Sequence, residues 1–418
     1  MVKRFGVLLG WLNTGRSFNM KILFITSKFP RWKGDSQPAF TYYLAKELIR
    51  LGHDIYVIAP HYPKSKFFEK FEGICVYRFR YFMPYSLEKL AYGAGIPANL
   101  KNSFLAKLQV PFFTLSEIIF VKKIIKKINP DIIHAHWAFP QGLAAKMTGL
   151  NYIITIYGGE IFLANKYKLI TVLDNIIKNS YKSFALTSGL RDVMKEFGIK
   201  SEIDIIPLGV DTNVFKNNIH SKNIKKIYCP NNELMILSVG RLVEKKGMEY
   251  LISAFKKVKD EITNVKLVIV GNGHLYNKLL NLRDKLGLQK DVIFTKEINH
   301  GLLPKYYSAS DLFVLPSIID NIGDRETQGV VFLEAMVSGI PVIGTNTGGI
   351  PDIISNKNVG VLVPEKNSEK LAREIIKLLK NKKLREKYSK NGYDHAFRNF
   401  NWKSIAVRYA NVYKEMLN

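Results

Sequence analysis

Short apolar runs rich in Ile, Val and Leu alternate with longer amphipathic stretches along most of the chain. In the first half these runs predict strands over Lys21–Thr26, Asp54–Ala59, Cys75–Arg80, Asp131–His136, Tyr152–Tyr157 and Ser183–Thr187. Most are continuous rather than alternating, the pattern of strands covered on both faces in a parallel sheet. Helical spacing lies between them, as over Phe40–Leu51 and Leu115–Ile128. After Pro207-Leu208-Gly209-Val210 the periodicity lapses, and the polar residues 212–232, with their Asn and Lys clusters, read as a linker. Alternation resumes with strands over Met235–Val239, Lys266–Val270, Val292–Thr295, Leu312–Leu315, Pro341–Gly344 and Gly360–Val363. Helices over Met248–Lys259, Leu302–Ser308 and Gly329–Ser338 fill the gaps, and helices over Ser368–Lys380 and Trp402–Leu417 end the chain. Two successive βα arrays predict an α/β protein of two doubly wound, Rossmann-like domains, with ligands at the carboxyl ends of the strands and in the cleft between the domains. The expected divisions are an extension over 1–19, a first domain over 20–211, the linker 212–232, a second domain over 233–398 and a terminal helix over 399–418.

Composition narrows the class. At 418 residues and 47% hydrophobic, the chain has material for two or three packed domains. Its two cysteines, Cys75 and Cys229, exclude a disulfide scaffold and point to a reducing, intracellular setting. No apolar run approaches the ~18 residues needed to span a bilayer. The longest, Val110 to Val121, is broken by Thr114, Ser116 and Glu117. Phe5 to Leu12 follows Lys3 and Arg4 and imitates a signal peptide, but it is short and has no small-residue cleavage site, so residues 1–19 are expected to be an extension or a misplaced start rather than an export signal. The net charge is +27, and residues 1–200 carry +17 of it. Two readings fit this field: attraction to a polyanion, whether nucleic acid, anionic membrane or phosphorylated substrate, and a Lys/Ile-rich bias that keeps the protein soluble. Against nucleic acid, the sequence holds no basic–aromatic module and no zinc pattern.

Three segments carry chemistry. In Ser238-Val239-Gly240-Arg241-Leu242-Val243-Glu244-Lys245-Lys246-Gly247 a buried strand enters a loop holding Arg241 and Lys246, and a helix follows. Two cations at a helix mouth, beside a Gly that lets backbone come close, suit a diphosphate; two solvated loop cations are the other reading. In the segment 324–341, Glu326 and Glu334 are separated by seven residues, with a helix expected between Gln328 and Gly339 and Pro341 beyond it. A carboxylate inside so apolar a helix demands a partner or a ligand, either a sugar diol or a structural Arg or Lys. Gly271-Asn272-Gly273-His274 closes a strand, but Tyr276 stands where a dinucleotide fingerprint has its third glycine. Asp291 precedes a strand instead of ending one, so a nicotinamide site is rejected.

Together, Gly240-Arg241…Lys246, Gly271-Asn272-Gly273 and Glu326-x7-Glu334 in the frame LEAMVSGIPVIGTNTGGIPDII resemble the family 4 retaining glycosyltransferases of the GT-B fold. In the first half KILFITSKFPRWKGDSQPAFTYYLAKELIRLGHDIYVIAPH, DIIHAHWAFPQGLAA and IIPLGVDTNVF agree, so the likeness covers residues 20–418. The resemblance implies two Rossmann-like domains facing across a cleft, with the acceptor on the first, a nucleotide-sugar on the second, and the terminal helix returning to the first. It implies that Arg241 and Lys246 hold the diphosphate, Glu334 the ribose hydroxyls and Glu326 the donor sugar, with Glu326, Arg241 and Lys246 as the catalytic set. Amides of Gln328, Gly329 and Val330 would support phosphate or sugar, Gly271 and Gly273 would border the nucleotide, and Ile298 would lie near the base. Gly34 and Asp35, in the loop Lys33-Gly34-Asp35-Ser36, would approach the diphosphate from the first domain.

Relatives carry His-Gly-x-Asp where this chain has Tyr157-Gly158-Gly159-Glu160, which puts the sugar in doubt more than the reaction. Tyr157, Glu160 and the nearby His136 are therefore placed on the acceptor or sugar side. His134 and His136 point to one side of their strand. They serve the site or simply pack, and no third ligand at suitable spacing makes them a metal site. The expected reaction moves a sugar from a UDP- or GDP-sugar to an acceptor hydroxyl with retention, needing neither cofactor nor metal, in polysaccharide, glycolipid or glycan assembly. A nucleotide-sugar epimerase or a sugar phosphorylase is the alternative. The acceptor is expected to be lipid-linked or a saccharide. The setting is expected to be cytoplasmic, peripheral on the inner face of the membrane. Lys122, Lys123, Lys126 and Lys127 beside Ile118, Ile119, Ile124, Ile125 and Ile128 read either as an anionic-membrane interface or as a core helix with a lysine edge.

Overall fold

The computed structural model describes residues 19–32, 35, 40–93, 95–216 and 222–418. The expected extension, except Asn19, and Lys33, Gly34 and Ser36 of the expected diphosphate loop lie outside the described residues.

Fourteen strands are described: β1 Lys21–Thr26, β2 Asp54–Pro60, β3 Phe68–Phe71, β4 Ile74–Phe79, β5 Ile132–His136, β6 Tyr152–Ile156, β7 Lys182–Ala185, β8 Asp204–Ile205, β9 Leu234–Val239, β10 Val265–Val270, β11 Val292–Lys296, β12 Leu312–Leu315, β13 Val342–Thr345 and β14 Val361–Val363. They form two sheets, in the orders β3-β4-β2-β1-β5-β6-β7-β8 and β11-β10-β9-β12-β13-β14. Every pairing is parallel except the edge hairpin β3–β4. The central strands β1, β5, β6, β9 and β10 are buried along nearly their whole length, as continuous apolar runs between two helix layers require. Each such Ile, Val or Leu contributes ~1.5–3 kcal/mol when withdrawn from water. The order reverses beside β1 and β9, and loops at those switch points open into the cleft.

Three helices depart from expectation. The segment 212–232, read as unstructured, contains the helix Lys222–Tyr228. The helix Lys382–Asn399 was not foreseen; of its residues only Gly392 and Ala396 are fully buried, so it shows almost no apolar period. The helix expected over Leu115–Ile128 begins eleven residues earlier, at Phe104. Ser103 caps it by accepting from the Ala106 amide at 3.2 Å, and Pro111 stands inside it. At 25 residues it is long and apolar enough to cross a membrane by length and composition, contrary to the expectation that no stretch is. Its inner face, with Phe113, Val121, Ile124 and Ile128, packs on the first core, and only Ile119 of the five isoleucines beside the lysines is exposed. Four of the five isoleucines thus face the core or its margin, and the four lysines lie along the exposed edge.

The terminal helix Trp402–Leu417 packs on the first sheet, burying Trp402, Ile405, Tyr409 and Tyr413 with Phe24, Leu44 and Phe184. The chain therefore crosses between the sheets twice. The two crossings touch: the Val210 amide donates to the Phe400 carbonyl at 2.7 Å, and Val210 pairs with Asn401.

Candidate active site in the cleft between the two sheets

A cavity of about 360 Å³ separates the strand ends of the two sheets. Lys28, Thr41, Trp137 and Tyr157 line it from the first unit, and Lys246, Glu326, Gln328 and Gly329 from the second.

On the second side the strand β9 ends at Val239, and the loop behind it turns at Gly247. That glycine has φ +62°, and a β-carbon there would sit 2.0 Å from the Pro316 carbonyl oxygen, so no larger residue fits. This turn delivers Lys246 to the cleft, where its Nζ ion-pairs with Glu326 Oε2. Glu326 is about 12% exposed. Burial pushes its carboxyl up, but Lys246, Lys245 and Arg241 together outweigh that and hold it below the ordinary value, as an anion. Arg241 itself is exposed and does not line the cavity. Next along the chain, Gly329 turns in the left-handed region at φ +81° and opens the helix Val330–Val337.

Glu334 lies within that helix, buried, and does not line the cavity. Its partner is neither Arg nor Lys: Tyr307 Oη donates to Oε2 at 2.8 Å, and His300 Nε2 lies 3.8 Å from Oε1. The carboxylate holds the His300 pKa above its ordinary value. Gly271 and Gly273 lie outside the cavity wall too, and their role here is steric. A β-carbon on Gly271 would come within 1.9 Å of the Gly240 carbonyl oxygen, and one on Gly273 within 2.3 Å of that of Leu242. Both glycines let two loops lie backbone to backbone, which the Leu242 amide seals by donating to the Asn272 carbonyl at 2.9 Å. Ile298 is half-buried against the second core.

On the first side Tyr157 lines the cavity, stacked on Trp137 at 4.5 Å between ring centres. Trp137 holds φ +87°, a conformation that a bulky residue keeps only when its surroundings enforce it. His136 does not reach the cleft. It is fully buried, with Nδ1 2.8 Å from the Tyr157 hydroxyl, and burial lowers its pKa to about 3, so it stands neutral behind that tyrosine. His134 stacks on it at 4.1 Å and has both ring nitrogens engaged, by Tyr413 Oη and Thr155 Oγ1, each at 2.8 Å. These two histidines are packing and support. Glu160 lies one cavity further into the first unit, its Oε1 accepting from the Tyr157 amide at 3.1 Å. Burial raises its pKa to about 7, against the pull of backbone amides. Asp35 makes a two-pronged ion pair with Arg31, at 2.8 Å on each arm.

Lys28, Trp137 and the Gln328 side chain did not emerge from the sequence. Lys28 and Trp137 follow the carboxyl ends of β1 and β5, so the strand-end rule marks their places even though their residue types carry no signal. Burial lowers the Lys28 pKa. The Gln328 side chain is held by the first unit: Oε1 accepts from the Leu208 amide at 2.8 Å and Nε2 donates to the Leu208 carbonyl at 3.0 Å. It ties the second unit to the last segment of the first.

Residues 38–214 match the family described as Glycosyltransferase Family 4, and residues 220–395 match Glycosyl transferases group 1. An uncharacterized glycosyltransferase of Methanocaldococcus jannaschii is 28% identical over 94% of this chain and 98% of its own length. Alpha-monoglucosyldiacylglycerol synthase of Streptococcus pneumoniae is 29% identical over 60% of this chain and 62% of its own. HepE of Anabaena, solved in complex with UDP, shares the fold with TM-score 0.71 at 18% identity, covering 95% of this chain and all of that one. Between them the two matched families span most of the chain and both sheets, so the chain belongs to the family 4 glycosyltransferases and is a transferase of the GT-B fold.

Proposed function

We propose that the protein transfers a sugar from a UDP- or GDP-sugar to an acceptor hydroxyl, with retention at the sugar carbon, in polysaccharide, glycolipid or glycan assembly. The observation that carries this reading is the Lys246–Glu326 pair facing the cleft cavity, with Arg241 and Lys245 behind it. An anionic carboxylate held on a cluster of cations suits a site where a neutral sugar and a diphosphate lie side by side. Lys246 and Arg241 would take the diphosphate and stabilise the charge that gathers on it as the sugar carbon–oxygen bond breaks. Glu326 would accept hydrogen bonds from the sugar hydroxyls, and Glu334 from those of the ribose. The acceptor oxygen then bonds to the freed carbon, its proton leaves the site, and a nucleoside diphosphate departs. Cations and a helix N-terminus supply the charge compensation, so activity is expected to persist in chelator. HepE was solved with UDP and the pneumococcal relative is named for a diacylglycerol product, which supports a nucleotide donor and an amphiphilic or saccharide acceptor. The setting proposed is the cytoplasmic face of a membrane.

A thermal-shift screen of UDP- and GDP-sugars tests the donor, because a ligand that binds only the native state raises the midpoint. Proton NMR of the first-formed product reads the configuration at the sugar carbon. No shift with any nucleotide-sugar, or an inverted product, overturns the corresponding part.

A further inference from the structure

A second cavity, of about 310 Å³, opens in the first unit between the helix Phe104–Ile128 and the helices Gly159–Lys166 and Ile170–Lys178. Its wall is almost wholly apolar, built by Leu90, Phe113, Phe139, Leu163, Leu173 and Ile176. The size falls at the lower end of the ~300–1,000 Å³ typical of ligand sites. Three further features set it apart from a packing defect. Its mouth is apolar and open: Tyr167, Leu169 and Val172 line it and are each about half exposed. Lys107 lines it too, and Lys166 and Lys168 stand exposed beside it. Its inner end carries Glu160 and lies toward the cleft. Ile96, Phe139, Glu160 and Leu163 also wall a small third cavity, which in turn shares Lys28 and Trp137 with the cleft. At that junction Glu160 Oε2 is buried with no hydrogen-bond partner.

The surface around the mouth has the same character. Along the helix Phe104–Ile128, Phe104, Leu108, Phe112, Leu115 and Ile119 are exposed by 74, 49, 53, 58 and 59%. Steps of three and four residues put them on one stripe. Lys122, Lys123, Lys126 and Lys127 follow on the same helix, all exposed. An apolar stripe running into a cationic end matches a bilayer with anionic headgroups, not water.

We propose that this cavity takes one hydrocarbon chain of an amphiphilic acceptor drawn from a bilayer, so that the acceptor's polar head lies past Glu160 and Trp137 in the cleft. The inference rests on the glycosyltransferase reading of that cleft and names the class of its acceptor. The free Glu160 oxygen accepts a hydrogen bond from a hydroxyl of the head. The lysines at the mouth hold the protein on anionic lipid while the chain is withdrawn.

The test uses the whole chain with cis-parinaric acid, a fluorescent fatty acid, presented in phosphatidylglycerol vesicles. Wild type gives a saturable rise in emission. Thr114→Trp places an indole on the half-buried cavity wall and weakens that binding by about tenfold or more. Leu163→Trp, on the opposite wall, does the same by an independent route. The thermal shift given by UDP or GDP reports that each variant is folded. Wild type also moves labelled sugar into a chloroform-soluble product on total membrane lipid, and Thr114→Trp loses this. No saturable rise in wild type, or equal binding by both folded variants, overturns the chain site. Sugar incorporation into lipid that Thr114→Trp leaves unchanged overturns the acceptor role. A wild type that binds the probe but shifts with no nucleotide overturns the donor reading, a different result from either.

Discussion

At the scale of residues, the cleft concentrates charge on a few side chains. Lys246→Met removes the cation nearest Glu326 and is expected to cut transfer by roughly 10²–10³-fold while the chain stays folded. Steady-state kinetics beside a melting curve checks this. A second prediction concerns Glu117, buried in the helix Phe104–Ile128 with Gln141 donating to its carboxyl at 3.0 Å. Burial raises its pKa to about 8, against the smaller pull of Gln141. The folded state therefore keeps a proton that the unfolded chain releases near the ordinary carboxyl value. Between that value and about pH 8 the native state binds more protons, so its stability falls as pH rises. Glu117→Gln is neutral and still accepts from Gln141. Its melting point should gain on wild type from pH 5 to pH 8; a constant gap across that range would count against the assignment. The residue legible from the sequence alone was Glu334, whose type is costly inside so apolar a helix, whereas Glu326, in a polar loop, drew notice through its spacing from Glu334 and the family resemblance. Lys28 and the Gln328 clamp were not legible. The clamp joins Gln328 to Leu208, 120 residues away, and no local pattern records such a pairing.

At the scale of elements, twelve of the fourteen described strands were readable to within two residues because burial leaves continuous apolar runs, whereas β3 and β8, short and not buried, were missed. The helix Lys382–Asn399 was invisible for the opposite reason, since it buries little and its period is weak. The function of glycines was only half legible. Gly271 and Gly273 stood out as a loop signature, but what they do is bring two loops within hydrogen-bonding distance. Gly271→Ala forces a β-carbon 1.9 Å from the Gly240 carbonyl oxygen at φ +144°. It should cost on the order of 2–4 kcal/mol and displace the loop that carries Arg241 and Lys246. Denaturant titration reads the first effect, and loss of the nucleotide thermal shift reads the second.

At the scale of the molecule, the two units meet at several points besides the crossings. Thr187 Oγ1 donates to the Thr327 carbonyl at 2.8 Å, Ser188 Oγ to Asp352 Oδ1 at 2.7 Å, and Gly189 lies against Gly348. A β-carbon on Gly189 would sit 2.2 Å from the Gly348 carbonyl oxygen. Gly189→Val should therefore hold the units apart without unfolding either. Small-angle scattering is expected to show a larger radius of gyration, and the donor KM should rise.

The returning helix Trp402–Leu417 also sets the order in which the protein can be made. The first unit emerges from the ribosome before the second, yet the cover for one face of its sheet is encoded after the whole of the second unit. Phe24, Leu44 and Phe184 await Trp402, Ile405 and Tyr409 until that helix has been made. The second unit, encoded between, can close its own core first. Of the two units, the one made first is thus the one that finishes folding last. A nascent chain stalled before Trp402 should show a protease-resistant second unit beside a first unit that is still cleaved.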